Sequence, residues 1–486
     1  MTSRRELLAL AAVTALALAL RLHRLDAWSF GMDELVQSAD YGEPSLLETV
    51  HHAAQSHQSP LDYAVGHVLI RVLPPTDFVL RLPAAVYGTL LVPAAWLLVR
   101  TFARPPAGLV AGLYVAVCPV VVQFSQIVRP YAILHLLFAL FWPALAWAIG
   151  TNSRRAWAAF ATVAVLHLYA RPDVPAETLV AGDAAALLVW LAGRRTQSPF
   201  VRTRAVLTAI GVSAACFVAV LPSWFLLFDA GRAHRSEGVL ADASSVSDRL
   251  RQIRWRDEVA TPLAGHLGPG AALYVGLAAV GAGAAMRSPS GRFLLLGLLL
   301  TLLLHVVLFR LVARDRLAFV PRYLVVYVTP LLAFAGAGLT TLLRHLPARP
   351  VVAPLVALAS AVPLGWGLPA YYTEPWQTDD WRAVGTWLDE RLGPADLVVL
   401  ETQSPFGDYE SWLQGRGRYW RRPLDVVRMS GLPRRIESAR GEGSVYVVVH
   451  LTRSASLPGA EGVTVLRFHD MSIVHPTRST GRRIED

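Results

Sequence analysis

Eleven apolar runs, each close to the length that crosses a bilayer, constrain this chain more than any other feature. They lie at about 6–22, 82–99, 107–125, 132–150, 156–170, 174–192, 205–228, 268–286, 293–313, 319–342 and 350–370. A spanning helix needs about 20 predominantly apolar residues, and a chain with so many such runs cannot bury them in a single water-soluble core. Charge agrees. Only 16% of the 486 residues are charged, against about 25% in soluble domains, and mean hydropathy is +0.42. The basic balance of +10 would point to nucleic acid in a soluble protein. Here the basic residues are all Arg and sit between the apolar runs, where their role is to set topology.

Arginine in short loops marks the cytoplasmic side. Arg4 and Arg5 place the N-terminus there, with 6–22 as an uncleaved first span whose apolar stretch Leu7–Leu20 is followed by Arg21, His23 and Arg24. Alternation then puts Arg100 and Arg104, Arg154 and Arg155, Arg194 to Arg204, Arg287 and Arg292, and Arg344 and Arg349 in cytoplasmic loops. The acids Asp26, Asp33, Glu34, Asp40, Glu43, Asp173, Asp242 and Asp315 fall outside. Pro60–Leu73 is too short for a span and reads as an interfacial or re-entrant helix. Counting it as a span would invert every later loop.

From about Tyr372 onward no spanning run remains, and alternation places this tail outside. Trp381, Val384, Trp387 and Leu388 share one face of an amphipathic helix, which Gly393-Pro394 stops. Leu397–Leu400, Val445–His450 and Val463–Phe468 read as strands. The expected fold class is therefore an all-α polytopic membrane bundle of about 11 transmembrane helices at 1–371, with a small α/β extracytoplasmic domain at 372–486. The expected location is the plasma (inner) membrane, multi-pass. Cys118 and Cys216 both lie inside apolar runs, so neither a disulfide framework nor a metal-binding Cys pair is expected.

The loop at 23–81 holds the densest chemistry. It reads Trp28-Ser-Phe-Gly-Met-Asp33-Glu34 and later His57-Gln-Ser-Pro60-Leu-Asp62-Tyr63. Ionisable residues beside a membrane are costly and often functional, and a carboxylate there can take a proton from an acceptor hydroxyl. The plainer alternative is that Asp33 and Glu34 are solvated acids favouring a helix N-terminus.

Four stretches resemble the polyprenyl-phosphate-sugar glycosyltransferases of the protein O-mannosyltransferase and aminoarabinose-transferase type, membrane enzymes of the GT-C architecture. They are Arg24 to Glu34, His57 to Tyr63, Phe78-Val-Leu-Arg81-Leu-Pro83-Ala-Ala-Val-Tyr-Gly88, and Ser125-Gln-Ile-Val-Arg129-Pro-Tyr131-Ala. Fainter echoes are Arg322-Tyr323-Leu and Asp380-Trp381-Arg. The strong matches cover roughly the first 150 residues.

The resemblance implies an enzyme, a lipid-phosphate-sugar-dependent hexosyl or pentosyl transferase. Asp33 would be the catalytic base, with Glu34 beside it. Arg129 and Arg322 would bind the donor phosphate, a role that suits the planar guanidinium fork. His57, Tyr63 and Tyr131 would line the cavity. The implied partners are a polyprenyl-phosphate sugar donor, a glycan, lipid or protein acceptor, and membrane lipids, with no nucleic acid. Gln58-Ser59 and Asp62 depart from the pattern of the second stretch. No cofactor is required by the residues, and a divalent metal stays open. His234 with Glu34 offers imidazole and carboxylate donors, although a solvated loop histidine is the simpler reading.

Two other functions compete. A transporter or flippase of lipid-linked sugars would show internal repeats and broken helices at mid-membrane, whereas here the polar residues gather in the outer loops. A non-catalytic membrane scaffold would not need Asp33, Glu34 and Arg129 to converge. Arg171-Pro-Asp173 forms a short outer turn that either pairs internally or lines the cavity. Arg310, Arg314, Asp315 and Arg316 at the end of the ninth run either snorkel or contact phosphate.

Overall fold

A computed structural model describes residues 3–55, 58–171, 173–194, 202–232, 255–312, 321–345, 349–373, 381–391 and 393. It also describes 397–401, 419, 425–427, 445–450, 463–468 and 471–476. The chain divides into two compact units. The first is Met1–Leu25 with Asp40–Tyr371; the second is Asp26–Ala39 with Tyr372–Asp486.

The first unit is helical. It begins with α1 (Arg4–Leu22). After α2 (Met32–Asp40), whose last residue belongs to this unit, come α3 (Leu46–Gln55), α4 (Pro60–Val72), α5 (Asp77–Arg100), α6 (Pro105–Val117) and α7 (Pro119–Phe124). Then follow α8 (Tyr131–Thr151), α9 (Arg154–Ala170), α10 (Asp173–Arg194), α11 (Thr203–Arg232), α12 (Thr261–Gly265), α13 (Ala271–Ala285) and α14 (Pro289–Val312). A 3-10 turn at Pro321–Tyr327 leads into α15 (Val328–Leu342), α16 (Arg349–Gly365) and α17 (Leu368–Thr373).

Among the described residues, seven helices are long and apolar enough to span a membrane: Asp77–Arg100, Tyr131–Thr151, Val174–Gly193, Thr203–Pro222, Gly268–Ala285, Pro289–Leu308 and Arg322–Leu342. The chain is a multi-pass membrane protein. The other four apolar runs form helices of a different kind. α1 carries Arg4, Arg5, Glu6 and Arg21, while α9 and α16 have 17 residues each. The run at 107–125 breaks at Cys118-Pro119 into α6 and α7. Pro60–Val72 is a 13-residue helix, short of a span as the sequence suggested.

Close helix contact depends on small residues. A Cβ at Gly281 of α13 would overlap the Phe334 carbonyl, and one at Gly338 of α15 would overlap the Leu277 carbonyl. In a bilayer, packing of this kind replaces the hydrophobic drive that lipid cannot supply. Around Trp142, fully buried on α8, pack Phe138, Phe141 and Phe293. α1 and α5 are tied at one end by Glu6, which accepts from Trp96 Nε1 at 3.0 Å and pairs with Arg100 at 3.5 Å.

The second unit contains α18 (Trp381–Arg391) and β1 (Leu397–Glu401), β2 (Asp425–Val427), β3 (Val445–His450), β4 (Val463–Phe468) and β5 (Met471–Pro476). The strands form one sheet in the order β2-β1-β3-β5-β4. β1 runs parallel to β2 and β3, with Leu400 opposite Val426 and Val399 opposite Val447. β5 is antiparallel to β3 and β4, with Val449 opposite Ser472 and Phe468 opposite Met471. Val384 and Leu388 of α18 are buried, as the amphipathic pattern requires. Residues 26–39 join this unit: the Phe30 amide donates to the Tyr419 hydroxyl at 2.9 Å and Arg382 donates to the Asp26 carbonyl at 3.0 Å.

Candidate active site

The break between α6 and α7 organises the scaffold. Pro119 has no N–H to give the Val115 carbonyl one turn back, and an unsatisfied carbonyl in an apolar interior costs about 1–3 kcal/mol. Arg21, fully buried, donates to Val115 O and Ala116 O at 3.2 Å each and to Ala17 O at 3.1 Å. Gly88 makes room for it, since a Cβ there would overlap the Ser125 side chain and press on Arg21 Nε. Gln126 Nε2 donates to Arg21 O at 2.8 Å and His23 O at 2.9 Å, and its Oε1 accepts from the Tyr371 hydroxyl at 2.5 Å. Arg81 donates to Leu25 O at 3.0 Å. Three of the four resemblance stretches thus meet at the end of α1, and they anchor the 125–130 turn that carries Arg129. Tyr131, buried, opens α8 and packs edge-on against Phe124 with ring centroids 4.8 Å apart.

Arg129 lies within electrostatic reach of Tyr63. Burial and then the Asp40 carboxylate push the Tyr63 hydroxyl above the usual phenol range, Arg129 pulls it down, and Asp62 adds to the rise. Tyr63 is fully buried, edge-on to Tyr41 at 5.5 Å. α4 is held by Ser59, which caps it by accepting from the Asp62 amide at 3.1 Å and donates to the Tyr169 carbonyl at 3.4 Å. That contact brings the second stretch beside Arg171, two residues further along. Arg171 lies over the Tyr323 ring at 5.2 Å, and Arg322 lies over the same ring at 5.8 Å. Two guanidiniums lie over one phenol ring, an arrangement worth about 0.5–2 kcal/mol per cation. Of the two readings open for Arg171, pairing with Asp173 or lining the cavity, the structure favours neither outright and sets it over the Tyr323 ring.

Near the ends of two spans lies a buried polar pair. His305 Nδ1 of α14 lies 2.8 Å from Glu177 Oε2 of α10, both buried. The His305 ring approaches Tyr327 at 6.2 Å, Tyr327 meets Phe138 at 5.5 Å, and Phe138 meets His167 at 6.2 Å. Single histidines in apolar runs gave no signal for this. The pair becomes visible only when two helices 128 residues apart are packed together.

In the second unit, Asp33 and Glu34 open α2 and then diverge. Asp33 is exposed. Glu34 is buried, and its Oε2 accepts from the Gly31 amide at 3.2 Å, closing the first turn of the helix. Neighbouring helical residues point about 100° apart, so only one of the two acids faces solvent. His57 lies outside the described residues, as do His234, Arg235, Asp242 and Asp248 of the 229–266 loop, and Arg314, Asp315 and Arg316.

Among the described residues, one group has metal-ligating geometry: Asp40, Glu43 and His52, whose donor atoms all lie within 4.8 Å of one another.

The fold is of the GT-C type, as its likeness to solved structures shows. The chain is similar to the crystal structure of ArnT from Cupriavidus metallidurans bound to undecaprenyl phosphate, with TM-score 0.53, 15% identity, and coverage of 97% of this chain and 99% of that one. It is also similar to AglB, the archaeal oligosaccharyltransferase of Archaeoglobus fulgidus, in complex with an inhibitory peptide and a dolichol-phosphate. There the TM-score is 0.57 and the identity 13%, over 92% of this chain and 69% of that one. A further structure of the Archaeoglobus fulgidus oligosaccharyltransferase, a complex with Zn and sulfate, matches with TM-score 0.55 at 12% identity over 91% of this chain and 68% of that one. No protein-family model and no curated protein sequence matches the chain.

Proposed function

We propose that this protein transfers a sugar from a polyprenyl-phosphate donor to an acceptor hydroxyl at the outer face of the plasma membrane. The observation that carries the reading is the presence, within one GT-C-type unit, of Arg171 and Arg322 on Tyr323 and of Arg129 within electrostatic reach of Tyr63. A membrane unit that presents guanidiniums and phenols together suits a lipid phosphate, because guanidinium offers a fork of donors and keeps its charge. The structures of ArnT with undecaprenyl phosphate and of AglB with a dolichol-phosphate support the donor class.

In this reading Arg129, Arg171 and Arg322 hold the donor phosphate. Tyr63, protonated across the physiological range, donates a hydrogen bond within the cavity, and Tyr131 belongs to its walls. Asp33, exposed on the first turn of α2, accepts the proton of the acceptor hydroxyl. That oxygen attacks the anomeric carbon, the carbon–phosphate-oxygen bond breaks, and the polyprenyl phosphate leaves with its charge met by the arginines. A single displacement inverts the anomeric centre. Glu34 shapes the start of α2. The arginine alternation supports a cytoplasmic N-terminus and an outside tail, 372–486, as a separate domain.

The test is turnover of a panel of polyprenyl-phosphate sugars by detergent-purified protein, wild type against Asp33→Asn. General-base assistance is worth roughly 10²- to 10⁴-fold. One donor consumed by wild type, with a loss of that size in the variant, supports the reading. Near-normal turnover by Asp33→Asn removes Asp33 as the base, and a folded wild type that neither binds nor consumes any donor removes the function.

A further inference from the structure

We infer that Asp40, Glu43 and His52 form a divalent-cation site that adds a fixed positive charge next to Tyr63 and Arg129. The inference deepens the proposed function, since it rests on a lipid phosphate being the anion held in that region. Asp40 ends α2, Glu43 follows in the connecting turn and His52 lies on α3. His52 Nδ1 is 3.6 Å from Glu43 Oε1 and 3.9 Å from Asp40 Oδ1. Metal–ligand bonds of about 2.1 Å set donor atoms about 3–3.5 Å apart, so a contraction of well under 1 Å along each of these edges would seat an ion. Two carboxylate oxygens and one imidazole nitrogen make a donor set that suits Mn²⁺ or Zn²⁺, with water completing the shell.

The backbone that carries these ligands is already held. Thr49 Oγ1 donates to Asp40 O at 3.3 Å and lies 2.8 Å from His67 Nδ1, which is itself 3.2 Å from Tyr41 O. Arg71 donates to Glu43 O at 2.7 Å and to Pro44 O at 3.3 Å. Gly66 lets the Tyr41 ring lie flat against α4, where any Cβ would overlap it. Ligands fixed by an outer layer of this kind bind metal with less reorganisation. Asp40 also has a second neighbour: its carboxylate is one of the charges that act on the buried Tyr63 hydroxyl, together with Arg129. An ion at Asp40 therefore sits one side chain from the residues assigned to the donor phosphate.

The competing arrangement is a protonated His52 bridging the two acids with no ion. The two are separated by titrating EDTA-stripped, full-length protein in detergent with Mn²⁺, in the absence of donor, and following free Mn²⁺ by electron paramagnetic resonance. The expected result is one saturable Mn²⁺ per chain with nitrogen modulation in the electron spin echo. Asp40→Asn should weaken binding at least about tenfold, and His52→Gln should remove the nitrogen modulation. Glu48→Gln, which alters a nearby exposed acid, should bind as wild type. Absence of saturable binding to protein with a normal melting transition, or binding unchanged in both ligand variants, overturns the site. Because no sugar donor enters this measurement, Mn²⁺ binding without transfer would leave the site standing and remove the proposed reaction, and the converse result would do the opposite.

Discussion

Arg21 and the trio Arg129, Arg171 and Arg322 are one residue type put to two uses. Arg21 is fully buried, and its donors end on main-chain carbonyls left without partners by the break at Pro119. Arg171 and Arg322 lie over an aromatic face, and Arg129 acts on a buried phenol. The first use is architectural: the charge replaces hydrogen bonds that the helix lost. The second puts positive charge with aromatic rings in one helical unit, as the proposed phosphate site needs. A basic residue near the end of an apolar run is thus ambiguous until its acceptors are known.

The comparison can be broken by substitution. Arg21→Leu should have the largest effect, because two carbonyls lose their donor at about 1–3 kcal/mol each. The melting temperature of the purified protein should fall sharply or folded yield should collapse, with no rescue by donor lipid. Arg322→Ala should instead melt within a few degrees of wild type and lose about 10–100-fold in donor kcat/KM, in keeping with about 1.5–3 kcal/mol for a hydrogen bond to a charged group. If Arg322→Ala unfolds like Arg21→Leu, the distinction between the two uses fails. Arg171→Lys sharpens it. Lysine keeps the charge and loses the planar fork, so donor KM should rise by about threefold to tenfold while stability holds.

The smallest effect is expected at Tyr63. Burial and the Asp40 carboxylate raise its pKa, so the hydroxyl is a neutral donor at every pH below the ordinary tyrosine value of about 10. Tyr63→Phe should lower the rate by a few-fold and leave the shape of the pH–rate profile between pH 6 and 9 unchanged. A limb of that profile that vanishes in the variant would show Tyr63 titrating and reverse the assignment.

Period and length made much of the architecture readable. Short runs rich in valine and other strand-favouring residues at Leu397–Leu400, Val445–His450 and Val463–Phe468 marked three strands, and the 3-to-4 spacing of Trp381, Val384, Trp387 and Leu388 marked α18. β2 and β5 escaped, the first because it has three residues and the second because Ser472, His475 and Pro476 dilute its pattern. α2 was open only as the plainer reading of Asp33-Glu34 and α3 was submerged in a loop reading, since at 9 and 10 residues both are short. The run at 107–125 looked continuous, although Pro119 was in plain view. What the proline would do depended on Arg21 being near enough to accept the break.

By itself the sequence determined that this chain lives in a membrane, because about 20 apolar residues in succession have no other comfortable solvent and the chain repeats such runs throughout. It also determined which segments hold the ionisable groups. Only tertiary structure decided how those groups are used. Proximity across 94 residues for Arg21 and Val115, across 128 for His305 and Glu177, or from α2 to α3 for Asp40 and His52 comes from packing rather than from local spacing. Whether a charge serves a broken helix, a phenol face or an ion follows from that packing, since the interaction energy of a polar group is set by the atoms around it and not by its place in the chain.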